Sequence, residues 1–419
     1  MPHAVRRSVC LPGVIAVGVL LVGLAGESPA QSRRSLAARP VPLAEGIQVF
    51  SSPNFRVVTD LTDKEGQELL ERLETMLKLV SGYFGKRNIR SIDMYVARDI
   101  TQWPAAVLGQ MDPDGIASIR GGAGVTQATT ALINGRPVDA KAVVYAVADH
   151  GTPQHEAVHA YCSLAFGSTG PVWYSEGMAE VGQYWRDGEK GVNAHPEVIR
   201  YLQESTPKPL NDIVNNPLET TGDSWQNYAW RWALCHMLGH NTNYTDRFKP
   251  LGMALLHRKE IDFWQVYGAQ ATEIAFEYEF FLRHVEAGYR VDLCSWDWKA
   301  KPRTPLRSGS SIKISANRGW QASKLQLTAG ESYTFETTGD WTIEQNGDPL
   351  SAAGNGDGGG MLVGCVFDNY TLSDEFELGE TGSFTAPADG HLVLRCRDGW
   401  GMLADNKGSV TLKLRPAMP

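Results

Sequence analysis

Two histidines and a glutamate stand at the spacing that a catalytic zinc site requires. The segment His155-Glu156-Ala157-Val158-His159 places its imidazoles four residues apart, and side chains at that separation project from one face of a helix. Two neutral imidazoles in this arrangement can bind Zn²⁺, and the carboxylate of Glu156 can take a proton from a metal-bound water. The alternative interpretation is an amphipathic helix that carries two surface histidines.

A second segment offers the third protein ligand that a catalytic zinc needs in addition to water. Residues 173–180 contain Glu176 and Glu180, again four residues apart, after a short connection with glycine and proline. On a helix these two carboxylates share a face, so one can bind the metal while the other holds the far nitrogen of a ligand imidazole. The sequence therefore predicts two helices that meet at a metal.

The motif HExxH followed by E-G-x-A-E resembles the gluzincin metallopeptidases, which include thermolysin and the zinc aminopeptidases, over about residues 47–290. The resemblance implies that His155, His159 and Glu176 bind zinc, that Glu156 is the general base, and that Glu180 supports a ligand histidine. It also implies an α+β catalytic domain, with a mixed sheet and a mainly helical half, and a protein or peptide substrate.

Periodicity predicts the elements ahead of the motif. Alternating residues predict strands at 55–59 and 92–96, and apolar residues at helical spacing predict a helix at 65–84. Glycine punctuation suggests a hairpin within 115–133. The run 142–147 is expected to form the last strand before the motif helix, and the family resemblance makes it the edge strand that lines the cleft. Periodicity alone leaves open a buried strand with no binding role.

A helix predicted from residue 224 to 238 places Tyr228, Trp232 and His236 on one face. In the zinc aminopeptidases a tyrosine beyond the glutamate ligand donates to the oxyanion of the tetrahedral intermediate. The resemblance gives that role to Tyr228, which follows Glu176 by fifty-two residues, because a donor aimed at developing charge stabilises the transition state. Core packing of an aromatic stripe is the alternative for Tyr228 and for His236.

From residue 312 the pattern changes to short alternating runs separated by glycine turns, which predicts an all-β sandwich. Residues 398–409 gather the carboxylate, amide and backbone oxygens that Ca²⁺ binds. With Gly319-Trp320-Gln321 and Gly339-Asp340-Trp341, this segment resembles the calcium-dependent galactose-binding bacterial lectins over about residues 312–416. The resemblance implies four calcium ligands: Asp398, the backbone of Met402, Asp405 and Asn406. An ordinary Asp- and Asn-rich turn is the alternative.

The chain of 419 residues is too long for one ordinary core. The predicted parts are a signal peptide (1–30), a linker (31–46), the catalytic domain (47–300), a second linker (301–311) and the sandwich (312–419). Arginines, an apolar run and Ser-Pro-Ala indicate a cleaved secretory signal. A membrane anchor is the alternative, but the uninterrupted apolar run is shorter than the ~20 residues that span a bilayer.

The net charge of the chain bears on its partners, and its cysteines bear on disulfide formation. A net charge of −8 without a Lys/Arg cluster argues against a nucleic-acid partner. In an extracellular or periplasmic compartment cysteines can pair, and we expect Cys365 with Cys396 and Cys162 with Cys235, leaving Cys294 alone.

These observations predict a secreted zinc metallopeptidase with an accessory β-domain that binds calcium or a glycan, and without a membrane span in the mature chain. Two other functions remain open. The chain could be an extracellular carbohydrate-binding protein with a degenerate metal domain, or zinc could serve the hydrolysis of a bond other than a peptide.

Overall fold

The computed structural model describes residues 41–133, 136–215 and 225–417. The predicted signal peptide and most of the first linker lie outside the described residues. The chain divides into two compact units: the first is Met1–Glu189, Lys208–His236 and Arg247–Val266, and the second is Lys190–Pro207, Met237–Asp246 and Tyr267–Pro419. In the described part of the chain, no helix is both long enough and apolar enough to cross a membrane.

A six-stranded mixed sheet forms the frame of the first unit. Its strands are β1 Val41–Ala44, β2 Ile47–Ser51, β3 Phe55–Thr59, β4 Ile92–Ala97, β5 Gly124–Ile133 and β6 Arg136–Val147. They lie in the order β1-β2-β3-β4-β6-β5. The pairs β3–β4 and β4–β6 are parallel and the other pairs are antiparallel. The strands predicted at 55–59 and 92–96 are therefore confirmed as β3 and β4.

Two predictions about this sheet are wrong, one about its edge strand and one about a hairpin. The run Ala142–Val147 lies in β6, which pairs with β4 on one side and β5 on the other, so it is an interior strand. The edge is β5. The segment predicted as a hairpin at 115–133 contains a helix, Pro113–Arg120, before β5. The helix forms because Asp112 accepts a hydrogen bond from the Asp114 N–H and proline stands in the first turn.

Twelve α-helices are described. They are α1 Asp63–Phe84, α2 Ala105–Leu108, α3 Pro113–Arg120, α4 Thr152–Phe166, α5 Val172–Tyr184, α6 Pro196–Glu204, α7 Leu210–Val214, α8 Trp225–His240, α9 Thr245–Leu256, α10 Phe263–Tyr267, α11 Ala271–His284 and α12 Val291–Cys294. The helix predicted at 65–84 is confirmed as α1. It begins with reciprocal hydrogen bonds between Thr62 and Glu65 and ends at Gly85, whose φ of 71° suits glycine.

The second unit contains two antiparallel sheets. One has the order β11-β10-β14-β8, with β12 pairing to β10, and the other has the order β13-β9-β15-β7. Their strands are β7 Ser310–Ser315, β8 Gln321–Leu327, β9 Ser332–Thr342, β10 Leu362–Asp368, β11 Thr371–Leu372, β12 Phe376–Glu377, β13 Thr381–Thr385, β14 Gly390–Cys396 and β15 Lys407–Pro416. Buried side chains from both sheets form one core, among them Tyr333, Leu362 and Leu412.

Helical segments of the second unit pack on the outside of one of these sheets. Trp296 belongs to the same hydrophobic cluster as Val363 and Phe367 of β10, and Phe276 of α11 packs against that cluster. The linker predicted at 301–311 lies inside this unit.

The predicted disulfides are absent, because the five cysteines in the described part of the chain are all free and buried. Cys365 stands opposite Val393, whereas Cys396 stands opposite Leu362. The two cysteines are thus offset by three residues along neighbouring strands, which is about 10 Å and beyond the reach of a disulfide. Burial raises the pKa of Cys162 to about 12.

Candidate metal centre

The HExxH segment lies on α4, and this helix is buried along most of its length. Pro153 stands in its first turn, and the Asp149 carboxylate accepts hydrogen bonds from the N–H groups of Gly151 and Thr152 just ahead of it. His155 and His159 are each only 7% exposed. The two histidines are therefore interior residues and do not lie on the outer face of an amphipathic helix.

Helix α5 brings Glu176 against both histidines. The Nε2 atoms of His155 and His159 lie 3.1 Å apart. Oε2 of Glu176 lies 3.2 Å from Nε2 of His155 and 3.3 Å from Nε2 of His159. These separations are close to the edge of a tetrahedron of zinc ligands, about 3.3 Å for bonds of about 2.0–2.1 Å.

The far nitrogens of both imidazoles are held in place. Nδ1 of His155 lies 3.0 Å from Oε1 of Glu180, and because a carboxylate accepts only, Nδ1 carries the proton in the neutral ring, the form that binds a metal, and leaves a lone pair on Nε2. Nδ1 of His159 lies 3.2 Å from the hydroxyl of Ser175. The Ser175 hydroxyl can accept from Nδ1 of His159, and the Nε2 atoms of both rings and a carboxylate oxygen face one another.

Three acceptors that face one another need a cation between them, and the remaining features of the cluster agree with that need. Glu176 is 1% exposed, and its other oxygen, Oε1, is buried without a hydrogen-bond partner. Among the described residues, His155, His159 and Glu176 form a group of ligand atoms that lie within 4.8 Å of one another. Two imidazoles and a carboxylate are the donor set of a catalytic zinc.

The electrostatics of the cluster also favour positive charge. Burial by itself raises the pKa of Glu176, but His159 and His155 outweigh it and hold that pKa far below its usual value. Burial lowers the pKa of His155, but Glu176 and Glu180 outweigh it and raise that pKa well above its usual value. The protein surrounds these imidazoles with carboxylates, as a site for a divalent cation would.

The carboxylate of Glu156 contacts Thr126, whereas that of Glu176 contacts the two imidazoles. Oγ1 of Thr126, on the edge strand β5, lies 2.8 Å from Oε2 of Glu156 and 2.8 Å from its backbone oxygen. A Cβ on Gly124 would lie 2.6 Å from Cγ of Glu156, so only glycine lets the strand pass this close. The edge of the sheet thereby positions the predicted general base beside the metal ligands.

Tyr228 reaches the same place from α8. Its ring centroid lies 5.7 Å from that of His155, with a tilt of 48°, and its side chain is half-buried. His236, two turns farther along, packs beside Trp232 with ring centroids 5.4 Å apart, and Trp232 in turn contacts Tyr184. The structure thus brings Tyr228 beside His155, a candidate metal ligand, and places His236 in an aromatic cluster.

The four residues predicted as calcium ligands lie in the connection from β14 to β15. Oδ1 of Asp398 accepts from the Gly399 N–H at 2.8 Å, and Oδ2 of Asp405 accepts from the Gln345 N–H at 3.1 Å. Oδ2 of Asp398 and Oδ1 of Asn406 are buried without hydrogen-bond partners. Burial raises the pKa of Asp398, a hydrogen bond with the Asn406 side chain opposes this rise, and the charge of Asp405 adds to it. The side chain of Met402 is 53% exposed.

Comparison with known proteins adds a weak structural likeness. A solved structure described as "EclA N-terminal domain; PllA-like lectin" is similar to this chain, with 19% identity over 26% of this chain and 95% of that chain and a TM-score of 0.22. The chain therefore contains a stretch that is similar to a lectin domain, and at this TM-score the likeness carries no further argument. No protein-family model and no curated protein matches the chain.

Three supporting residues were not found from the sequence. Ser175 and Thr126 hold His159 and Glu156, as described above. Burial raises the pKa of Tyr184, and its hydrogen bond to Glu180 raises it further, so Glu180 links the His155 imidazole to a phenol. The position of Ser175 in the sequence could have suggested its role, because it immediately precedes the candidate ligand Glu176. Nothing local to Thr126 signals its role, because β5 meets α4 only through the tertiary fold.

Proposed function

We propose that this protein is a zinc-dependent hydrolase that cleaves peptide bonds. The observation that carries the proposal is the convergence of three buried lone-pair atoms, on His155, His159 and Glu176, within 3.1–3.3 Å of one another. These residues would hold the ion. A separate carboxylate beside them, that of Glu156, is fixed by Thr126 and is not one of the ligand group.

Zinc supplies a Lewis acid that polarises a carbonyl and makes water a better nucleophile. The protein supplies the remainder of the chemistry. Glu180 and Ser175 hold the imidazoles with their Nε2 lone pairs toward the ion. Glu156 takes a proton from the attacking water and passes it to the leaving amine. The hydroxyl of Tyr228 donates to the carbonyl oxygen as that oxygen becomes negative.

The first prediction tests the role of Glu156. Changing Glu156→Gln keeps the shape of the side chain and removes only its basicity, so we expect full zinc content and a loss of turnover of about 10²-fold or more. Zinc content is measured by elemental analysis, and turnover is measured as casein hydrolysis.

Glu189→Gln is the matched control, because Glu189 is exposed and lies outside the ligand group. Casein hydrolysis by the Glu156→Gln protein at the wild-type rate would contradict the mechanism. A purified His159→Ala protein that retained stoichiometric zinc would contradict the assignment of the site itself.

A second candidate function, calcium-dependent glycan binding, is favoured by the unpartnered oxygens of Asp398 and Asn406. Carboxylate and amide oxygens are the ligands that Ca²⁺ prefers. If this is the function, the protein should be retained on immobilised galactose in calcium and released by chelation, and Asp398→Asn should abolish retention.

The sequence of residues 1–30, which resembles a secretory signal, is the basis for proposing that either function takes place outside the cytoplasm.

A further inference from the structure

The first unit contains a cavity that the proposed metal ligands do not line. Its volume is about 460 Å³, and α1, the start of α4 and the end of α5 line it. This volume lies within the range of about 300–1,000 Å³ that small-molecule pockets occupy. None of His155, His159 and Glu176 lines it, so its occupant need not touch the metal.

Two guanidinium groups, those of Arg72 and Arg186, line this cavity, and neither forms a close ion pair with a carboxylate in the described part of the chain. Arg186 donates through Nη1 to the backbone oxygens of Gln183 and Trp185, at 3.1 and 3.0 Å. Nε of Arg72 is buried without a hydrogen-bond partner. Burial lowers the pKa of Arg72; the charge of Glu68 opposes this, the charge of Arg186 adds to the lowering, and the charge of Asp149 opposes it. Two like charges held in one cavity favour an anion between them.

The same cavity has an acceptor without a hydrogen-bond partner and two exposed carboxylates, of which Glu68 also lies 3.8 Å from Nζ of Lys64. Gln154 is 2% exposed; its Nε2 donates to the backbone oxygen of His150 at 3.0 Å, and its Oε1 has no hydrogen-bond partner. The lining also includes Glu68 and Glu71, whose side chains are exposed. The cavity thus presents cationic donors on one part of its wall and acceptors on another.

We propose that this cavity binds a zwitterion, a free α-amino acid or a short peptide. The carboxylate of the ligand pairs with Arg72 and Arg186, and its ammonium group faces Glu68 and Glu71. Two cations and two carboxylates sum to no net charge, which suits a ligand that is itself neutral overall and disfavours a phosphate dianion. Met76 and Trp185 also line the cavity and provide apolar surface for a side chain.

The test uses the full-length protein after removal of metal, so that binding of the ligand to zinc does not contribute and a failure of the proposed hydrolase leaves this result readable. Isothermal titration calorimetry measures the binding of the dipeptide alanylalanine. Alaninamide, which lacks the carboxylate, and inorganic phosphate are the comparison ligands. The variants are Arg72→Gln and Arg186→Gln, and Lys78→Gln is the control on the same helix, since Lys78 pairs with Asp187 at 2.9 Å and does not line the cavity.

We expect saturable binding of alanylalanine to the wild type and to Lys78→Gln, and binding at least about tenfold weaker to each arginine variant, because each removes hydrogen bonds to a charged group. Alaninamide should bind at least about tenfold more weakly than the dipeptide. Circular dichroism verifies that each variant is folded. The absence of binding to the wild type would overturn the proposal, as would unchanged binding by both arginine variants. Phosphate binding as tight as that of the dipeptide would overturn the assignment to a zwitterion.

Discussion

Glu156 and Glu176 are both buried carboxylates beside His155 and His159, yet their surroundings separate their roles. An oxygen of Glu176 faces two imidazole nitrogens, whereas an oxygen of Glu156 accepts from the hydroxyl of Thr126. A carboxylate that binds a metal cannot also take up a proton readily, because the ion stabilises its charged form. The different neighbours therefore suit Glu176 to the proposed role of ligand and leave Glu156 available as the proposed base.

A second prediction concerns Ser175, which lies against Nδ1 of His159. Changing Ser175→Ala removes the group that orients this imidazole, and losses of this kind weaken metal binding by about 10–100-fold. We therefore expect weaker zinc binding and an unchanged fold, measured by competition with a chromogenic chelator. Ser163→Ala on α4 is the control, since among the described residues Ser163 is not in the ligand group. Equal zinc affinities for the two variants would remove Ser175 from the site.

The third prediction is that Tyr228→Phe lowers kcat by about a hundredfold and leaves KM nearly unchanged. The reason is that the hydroxyl is assigned to the oxyanion, which exists only near the transition state, so its loss should not weaken substrate binding. Steady-state kinetics on a peptide substrate measures both constants. Tyr95→Phe, in the stacked pair with Tyr145, is the control, and an unchanged kcat for Tyr228→Phe would make that tyrosine a packing residue.

The sequence predicts those site residues that lie close to one another along the chain. His155 and His159 share one helix, and a short connection joins them to Glu176, so spacing alone brings the three together. The carboxylate partner of the His155 imidazole, Glu180, follows from the same spacing. Thr126 was not predictable, because its distance to Glu156 is set by which strand forms the sheet edge.

At the scale of elements, the sheet shows the limit of periodicity. An apolar run at 142–147 predicts a strand, and β6 is there, but the run cannot tell which strands pair with it. The structure places β6 between β4 and β5. Both β5 and β6 contact the motif helix, and β5, which comes earlier in the chain, is the strand whose Thr126 meets Glu156.

The fourth prediction follows from the closeness of β5 to α4. A Cβ at Gly124 would lie 2.6 Å from side-chain atoms of Glu156 and Thr152, so Gly124→Ala must displace the strand or the general base. We expect lower kcat, retained zinc and a loss of about 1–3 kcal/mol in the free energy of unfolding. Activity, metal content and urea unfolding measure these effects.

Gly82→Ala on α1 is the matched control. A Cβ at Gly82 would meet nothing within 4 Å, and alanine favours a helix over glycine by up to about 1 kcal/mol. The control should therefore be as stable as the wild type or more stable, with the same kcat. If Gly124→Ala behaved in the same way, β5 would not position Glu156.

At the scale of the whole molecule, the β-sheets of the second unit do not stand apart from its helices. Phe276 and Phe280 of α11 pack on a cluster that includes Val363 of β10 and Trp320. The loop from β14 to β15 is fixed to the same helical segment, because Glu286 accepts a hydrogen bond from the Gly401 N–H and Trp400 packs on Phe280. A fragment limited to the sheets would expose these aromatic faces to water.

The sequence indicates the change from helical to alternating pattern near residue 312, and the strands of both sheets follow it. It does not indicate that α11 packs against β10, because an aromatic stripe predicts burial without naming the surface that covers it. Measurements on the calcium loop therefore belong in the full chain.

The last prediction is that calcium stabilises the full-length protein through the loop at 398–406. Asp398 and Asn406 each bury an oxygen without a hydrogen-bond partner, and leaving such a group unsatisfied costs about 1–3 kcal/mol. A cation that binds these oxygens only in the folded protein relieves that cost, and its total stabilisation is about 2.7 kcal/mol when its concentration is a hundred times its Kd. For a chain of 419 residues, at about 1 °C per kcal/mol, Tm should rise by about 3 °C. The measurement is thermal unfolding of metal-depleted His159→Ala protein, in which zinc does not interfere, with and without calcium.

Two variants of this protein test the loop. Asp398→Asn should lose the rise in Tm, and the control Asp357→Asn, in an exposed loop, should keep it. If the parent protein unfolds at one temperature with and without calcium, the loop is an ordinary turn and the lectin-like function loses its proposed calcium ligands.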